Sequence, residues 1–222
     1  ALDAVTTATQ NVAMGYNALT SLTTEDYNTV IGYAAGQDVV GHSNTLIGRY
    51  AGFDAADIDE CIAIGRDALR GDGSTAPTGN YNIVIGNYAL DAATSAQQNV
   101  AIGHQSATNL TTGINNTAVG SRSLAFANSN ENRNTAIGDH AARFCDGVDD
   151  CVAVGFGALS GSNWSYSDGE TANATKPTGI KNIAIGSYAL GANRAGTLNV
   201  AIGFGACQSG ITTESSVYIG DM

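Results

Sequence analysis

The chain has 222 residues, of which 43% are apolar and 13% charged, so it is long enough to bury a core and too apolar for a disordered segment. Nine Lys and Arg residues stand against twenty Asp and Glu, and the formal charge of −11 argues against nucleic acid or an anionic membrane surface as a partner. No stretch approaches eighteen consecutive apolar residues, so no membrane insertion is expected. The 28 Gly against 2 Pro, with little helical periodicity, indicate a β-type chain.

A nonapeptide recurs along the whole chain. Its composite form is N-(T/V/I)-(A/V)-(I/V)-G-x-x-A-L, and small or polar residues separate one copy from the next. Aligned on the glycine, the twelve copies lie at Gly15, Gly32, Gly48, Gly65, Gly86, Gly103, Gly120, Gly138, Gly155, Gly186, Gly203 and Gly220. Most intervals are 17 residues, and insertions at 71–81 and 160–179 lengthen two of them. A short constant period predicts a solenoid whose units stack on one another.

The β-branched residues before each glycine predict a strand. Seventeen residues at about 3.3 Å each make a contour of about 56 Å, enough for two short strands and two bends. Coils stacked about 4.8 Å apart would form a rod about 50 Å long. The sequence therefore predicts an all-β, parallel β-roll solenoid of about twelve coils, forming a single domain over residues 1–222.

The three residues of each strand divide between two faces. Alternation predicts that the first and third, such as Ile62 and Ile64, fill the inside of the roll. The middle residue would then point outward, yet it is apolar in every copy, whereas a solvated column should be polar. Side-by-side association of identical rolls would cover this column, so we assign the subunit interface to Ala13, Val30, Leu46, Ala63, Val84, Ala101, Ala118, Ala136, Ala153, Ala184 and Ala201. A second sheet of the same chain is the alternative cover.

Two further positions of the unit are assigned structural roles. The Asn four residues before the glycine can stack in a ladder whose amides hydrogen-bond along the rod. The glycine suits a sharp bend or the close approach of another backbone. In copies four and nine, Cys61 and Cys151 replace the Asn.

The insertion 71–81 contains the triplet P-T-G, which recurs in the insertion 160–179. Both insertions are therefore predicted to leave the rod from the same corner. The larger one carries the only Trp of the chain. Trp164 and Tyr166, beside Asp168 and Glu170, are a combination that stacks on a sugar and hydrogen-bonds its hydroxyls. The alternative is a loop whose aromatic side chains cover the coil edge or a neighbouring subunit.

Acidic bends precede both ladder cysteines. Oxygen ligands for calcium could come from Asp57, Asp59, Glu60, Asp146, Asp149 or Asp150. Neither bend follows a known calcium-loop spacing, so solvated charge is the preferred interpretation and no metal site or cofactor is predicted. Cys145 lies six residues before Cys151, close enough for a disulfide if the chain is oxidised, whereas a reducing cytoplasm would leave two buried thiols.

The two positions after the repeat glycine vary most. They hold many aromatic and basic side chains, among them Tyr16, Tyr33, Arg49, Arg66, His104, Phe156 and Phe204 at the first position and Tyr50, Tyr88, Gln105, Arg122, His140 and Tyr188 at the second. Such variation suits a recognition surface, simple solvation or contacts between subunits, and the sequence leaves these three open.

The repeat N-T-A-I-G-x-x-A-L, as in 134–142 and 182–190, resembles the head repeat of Yersinia adhesin-type trimeric autotransporters and the repeats of phage tail-fibre proteins. The resemblance covers residues 11–220 and implies a left-handed roll and a homotrimer. The adhesin repeat is usually nearer fourteen residues, and neither a heptad stalk nor membrane-anchoring strands occur in this chain. The longer unit favours a virion fibre.

The sequence thus predicts a structural and host-recognition segment of a phage tail fibre, located in the virion, that binds a cell-surface carbohydrate or protein receptor. A bacterial trimeric adhesin head, located at the cell surface, is the alternative. A polysaccharide depolymerase is less favoured because nothing singles out the pair of carboxylates that glycoside cleavage requires, and no catalytic residue is predicted.

Overall fold

A computed structural model describes residues 1–71, 73–126, 130–161, 177–208, 212 and 214–221. These residues form one twelve-stranded parallel sheet in which every strand pairs with its neighbours in sequence. The strands are β1 Val12–Met14, β2 Thr29–Ile31, β3 Thr45–Ile47, β4 Ile62–Ile64, β5 Ile83–Ile85, β6 Val100–Ile102, β7 Thr117–Val119, β8 Thr135–Ile137, β9 Val152–Val154, β10 Ile183–Ile185, β11 Val200–Ile202 and β12 Val217–Ile219. The predicted all-β solenoid with a spacing of about 17 residues is confirmed as twelve strands joined by eleven turns.

Each coil contains one strand, not the two that were predicted, throughout the described ranges. Tight bends close the rest of the coil. In the seventh and eighth coils, Arg122, Leu124 and Arg133 adopt left-handed backbone conformations with φ between 49° and 56°, and equivalent residues do so in the other coils. Left-handed residues reverse the chain within a few residues, so the coil returns to the sheet without a second strand.

The inside and the outside of the strand are opposite to the sequence-based assignment. The middle residues point into the coil, where ten of the twelve are at most 1% exposed, and only Ala13 and Tyr218 in the terminal strands are half-buried. This set, called the inner column, comprises Ala13, Val30, Leu46, Ala63, Val84, Ala101, Ala118, Ala136, Ala153, Ala184, Ala201 and Tyr218. Its first eleven members were assigned to a subunit interface. That assignment is wrong, because these side chains form the core of a single chain.

The inner column is covered from within the coil. Ala and Leu at the third and fourth positions after the glycine, such as Ala68 and Leu69, are fully buried and complete the core. Where Gly36 and Gly52 replace the Leu, the larger Leu46 occupies the space, since a Cβ on either glycine would touch its side chain. Small inner residues thus reflect a narrow interior shared with a large Leu.

Backbone contacts between coils explain the repeat glycine. Gly120 has φ of 132°, and a Cβ on it would overlap the carbonyl oxygen of Gly138 in the next coil. The same overlap recurs along the glycine column from Gly15 to Gly203. The predicted close approach of another backbone is therefore confirmed.

Candidate functional site

The outward side of the sheet is an apolar strip that runs the length of the rod. We call it the outer ribbon, and it consists of the first and third residues of β1 to β12. Twenty of its 24 members are Val, Ile or Met and the other four are Thr: Val12, Met14, Thr29, Ile31, Thr45, Ile47, Ile62, Ile64, Ile83, Ile85, Val100, Ile102, Thr117, Val119, Thr135, Ile137, Val152, Val154, Ile183, Ile185, Val200, Ile202, Val217 and Ile219. All are exposed or half-buried, and Ile137 is 41% exposed.

The strand register gives the outer ribbon its regularity. Every strand pairs in parallel with identical register, so that Ile102 lies beside Val119 and Val119 beside Ile137. The two columns are consequently continuous rows of side chains about 4.8 Å apart. The signal that could have identified this face in the sequence is side-chain size, because the narrow interior accepts mostly Ala and leaves the larger residues outside.

The predicted Asn ladder is confirmed. Its side chains lie at the N-terminal end of the strands. The backbone N–H of Asn134 donates to Asn116 Oδ1 at 3.0 Å, and that of Asn116 donates to Asn99 Oδ1 at 2.9 Å. Each amide nitrogen also donates to a carbonyl in the next coil, as Asn116 does to Glu131 at 2.7 Å. These side chains are buried, and their polar atoms are satisfied along the rod.

The two ladder cysteines reproduce the two hydrogen bonds that an Asn side chain makes to the next coil, although they lack the Nδ2 bond to the preceding ladder Asn seen for Asn134. Cys151 Sγ accepts the N–H of Asn182 at 3.4 Å and donates to the carbonyl of Gly179 at 3.5 Å. Cys61 does the same with Asn82 and Gly79. Burial raises the pKa of each thiol to about 11. Both thiols are therefore protonated donors at neutral pH.

Cys145 and Cys151 are separate thiols in the structure. Cys145 Sγ donates to the carbonyl of Leu159 at 3.3 Å and belongs to the hydrophobic core. Burial raises the pKa of Cys145 well above the usual thiol range. A buried thiol with a raised pKa is a poor nucleophile, and this cysteine acts as a core residue.

A second ladder, which sequence reasoning missed, runs two residues before the Asn position. There Asp or Asn side chains accept backbone N–H groups from the preceding coil, as Asp59 accepts from His42 at 2.8 Å and Asp149 from Asn132 at 2.7 Å. In the second acidic bend, Asp150 forms an ion pair with Arg133 at 2.6 Å. Three of the acidic side chains considered as calcium ligands therefore support the coil or pair with a neighbouring Arg.

The two insertions leave and rejoin the rod at equivalent positions, as predicted. Gly71 and Gly161 both lie six residues after the repeat glycine, with φ of 96° and 90°. Pro77 and Pro177 both lie nine residues before the next one, and each accepts a backbone hydrogen bond from the preceding coil. Trp164, Tyr166, Asp168 and Glu170, the predicted ligand-binding residues, lie outside the described residues.

A row of aromatic and basic side chains follows the glycine column at the N-terminal half of the rod. We call Tyr16, Tyr33, Arg49 and Arg66 the Tyr–Arg row. Tyr16 and Tyr33 stack with ring centroids 5.4 Å apart, while the guanidinium of Arg49 lies 4.7 Å from the ring centroid of Tyr50. All four row residues are exposed. The row is the part of the varied surface where aromatic and cationic groups adjoin in consecutive coils.

Comparison with protein-family models, with curated proteins and with solved structures gives no match. Within the described ranges, no helix has the length and apolarity needed to cross a membrane.

Proposed function

We propose that this chain is a homotrimeric structural and host-recognition segment of a phage tail fibre or a similar surface fibre. The observation that carries the proposal is the outer ribbon, an apolar surface that continues from the first strand to the last. A soluble rod that exposes such a surface along its whole length is expected to cover it with another protein surface.

The size of the ribbon supports self-association. Eleven steps of about 4.8 Å and a width of roughly 12 Å correspond to on the order of 600 Å². This lies at the upper end of the largest apolar patches of ordinary monomers, about 300 to 600 Å², and approaches the area of about 800 Å² that each partner contributes to a standard interface. A second copy of the chain carries a strip of the same length and spacing, so two copies match along their entire length. The number three comes from the resemblance to fibre and adhesin repeats.

The solenoid suits a spacer that displays binding elements. Its coils are linked by strand pairing, the Asn ladder and backbone bonds, which make the rod stiff along its axis. Three parallel copies would present the insertions 71–81 and 160–179 three times. Weak contacts with a surface receptor would then reinforce one another through a high effective concentration.

The first experiment is light scattering during size-exclusion chromatography. We expect a mass about three times the chain mass of 22.5 kDa. Ile137→Glu places a charge in the ribbon and should shift the protein to monomers while far-ultraviolet circular dichroism stays unchanged. Val40→Glu is the matched control, because Val40 is an apolar residue of similar exposure (38% against 41%) outside the ribbon.

The outcomes separate the parts of the proposal. A dimer would retain the ribbon as the interface and overturn the three-fold arrangement. A wild-type monomer at micromolar concentration would overturn self-association altogether. An Ile137→Glu protein that keeps the wild-type mass would show that the ribbon is not the interface.

A further inference from the structure

We propose that the Tyr–Arg row binds a glycan that carries carboxylate groups. This deepens the recognition role proposed above and rests on it. The row lies in the first four coils, immediately after the glycine column, and its four residues succeed one another at the same position of the repeat. Two phenol rings and two guanidinium groups are thereby aligned along the rod with the spacing of the coils.

The two arginines are oriented by aromatic rings behind them. Arg49 lies over Tyr50, and the guanidinium carbon of Arg66 lies 4.5 Å from the ring centroid of Tyr88. Arg66 also donates to the Tyr88 hydroxyl. These contacts hold the planar groups in place before a ligand arrives, which lowers the entropic cost of binding.

Charge balance identifies the chemistry of the ligand. Arg70, next to the row, is paired with Asp67 at 3.3 Å and with Asp54 at 3.9 Å. Arg66 shares Asp67 at 3.4 Å, whereas no carboxylate of the described residues pairs with Arg49. Asp91 also interacts with Arg70 and Asp67, so the cationic group left for a ligand is Arg49, on a chain whose net charge is −11. An exposed guanidinium with free donors favours a carboxylate, which it can bind with two parallel hydrogen bonds.

The two tyrosines of the row provide the groups that would contact a sugar ring. Tyr16 and Tyr33 are 68% and 49% exposed, and their stacking fixes both rings. Exposed phenol groups offer apolar ring surface to the C–H groups of a sugar and a hydroxyl to its oxygen atoms. A single-stranded nucleic acid also combines bases that stack with negative charge, but its dense phosphates would be repelled by the rest of this acidic chain. A glycan with spaced carboxylates needs only the exposed guanidinium of Arg49.

The test uses the whole chain and two matched probes. One is an oligogalacturonate, and the other is the same oligosaccharide with its carboxylates methyl-esterified, both titrated by isothermal calorimetry. We expect the acidic probe to bind more tightly than the ester. Arg49→Gln should weaken binding of the acidic probe about tenfold, as expected for the loss of one charge-assisted pair, and leave the ester unaffected. Tyr33→Ala should weaken both. Arg194→Gln and Tyr81→Ala, which remove an exposed Arg and an exposed Tyr outside the row, should change neither.

Three results would overturn the inference: equal affinity for the two probes, no binding of the acidic probe, or an Arg49→Gln protein that binds like Arg194→Gln. Tighter binding of oligothymidylate than of oligogalacturonate would replace the glycan with a nucleic acid. Light scattering on the same samples distinguishes this inference from the assembly proposal. A trimer that binds neither probe would overturn only the glycan site. A monomer that binds the acidic probe more tightly than the ester would overturn only the assembly.

Discussion

The two sides of the sheet are both apolar, yet they differ in size and burial. The inner column contains eight Ala among twelve residues and is buried, whereas the outer ribbon contains Ile, Val, Thr and Met and is exposed or half-buried. Within most strands of this narrow coil, the larger residues point outward. Side-chain volume, not hydrophobicity, therefore identifies the inward side of the strand in a coil built around one strand.

The largest expected effect is that of a charge on the inner side of the sheet. Ala118→Glu should abolish folding, because Ala118 is fully buried and a lone buried carboxylate costs several kcal/mol. Val119→Glu, on the adjacent outward residue, should keep the secondary structure. Circular dichroism and thermal melting of both variants provide the measurement. An Ala118→Glu protein with an unchanged melting temperature would contradict the inward orientation.

The next largest effect is expected at the glycine column. Gly120→Ala should destabilise the fold by about 3 kcal/mol or more, because the new Cβ meets the backbone of Gly138 and φ is 132°. Gly73→Ala should cost only about 1 kcal/mol, since its φ of 77° is also left-handed but no atom lies within 4 Å of the new Cβ. Urea titration measures both changes, and equal destabilisation would show that close packing of the coils is not the reason for the glycine.

A smaller loss of stability is expected when an Asn of the ladder is replaced. Asn116→Ala should cost about 2 to 4 kcal/mol, because the backbone N–H of Asn134 loses its acceptor and the Glu131 carbonyl loses its donor. Asn116→Cys should cost less, since cysteine at the same position in the fourth and ninth coils keeps the two hydrogen bonds to the next coil. Chemical denaturation of the two variants gives the ranking, and a Cys variant weaker than the Ala variant would contradict it.

A pH-dependent effect is also expected, namely a loss of stability at alkaline pH. Burial raises the pKa of Cys61 and Cys151 to about 11, so the folded state keeps protons that the unfolded thiols release near pH 9. The stability that these thiols contribute is complete below pH 9 and is lost as the pH rises through 11. The double variant Cys61→Ser and Cys151→Ser should show a shallower decline in urea midpoint between pH 8 and 10.5. Ser216 already occupies the ladder position in the last coil. A parallel decline in both proteins would assign the pH dependence to other groups.

Several features of the fold could be predicted from residue pattern alone. The period of about 17 residues predicted the solenoid, the Asn predicted the ladder, and the shared P-T-G predicted one corner for both insertions. The number of strands per coil could not be predicted, because left-handed residues such as Arg122 and Leu124 carry no distinctive sequence signal. The second ladder could not be predicted either, because its Asp and Asn side chains resemble ordinary polar loop residues in the sequence.

The residue pattern alone was enough to predict a stacked parallel repeat. A constant period with glycine and asparagine at constant positions is compatible with few other arrangements. Which side of the strand faces inward could be read only from the tertiary structure. Alternation defines two faces but does not say which one is covered, and the answer came from Leu69 and its equivalents, which leave room mostly for Ala across the coil. The same arrangement leaves the outer ribbon free and aligns the Tyr–Arg row, since both depend on neighbouring coils that the order of residues does not bring together.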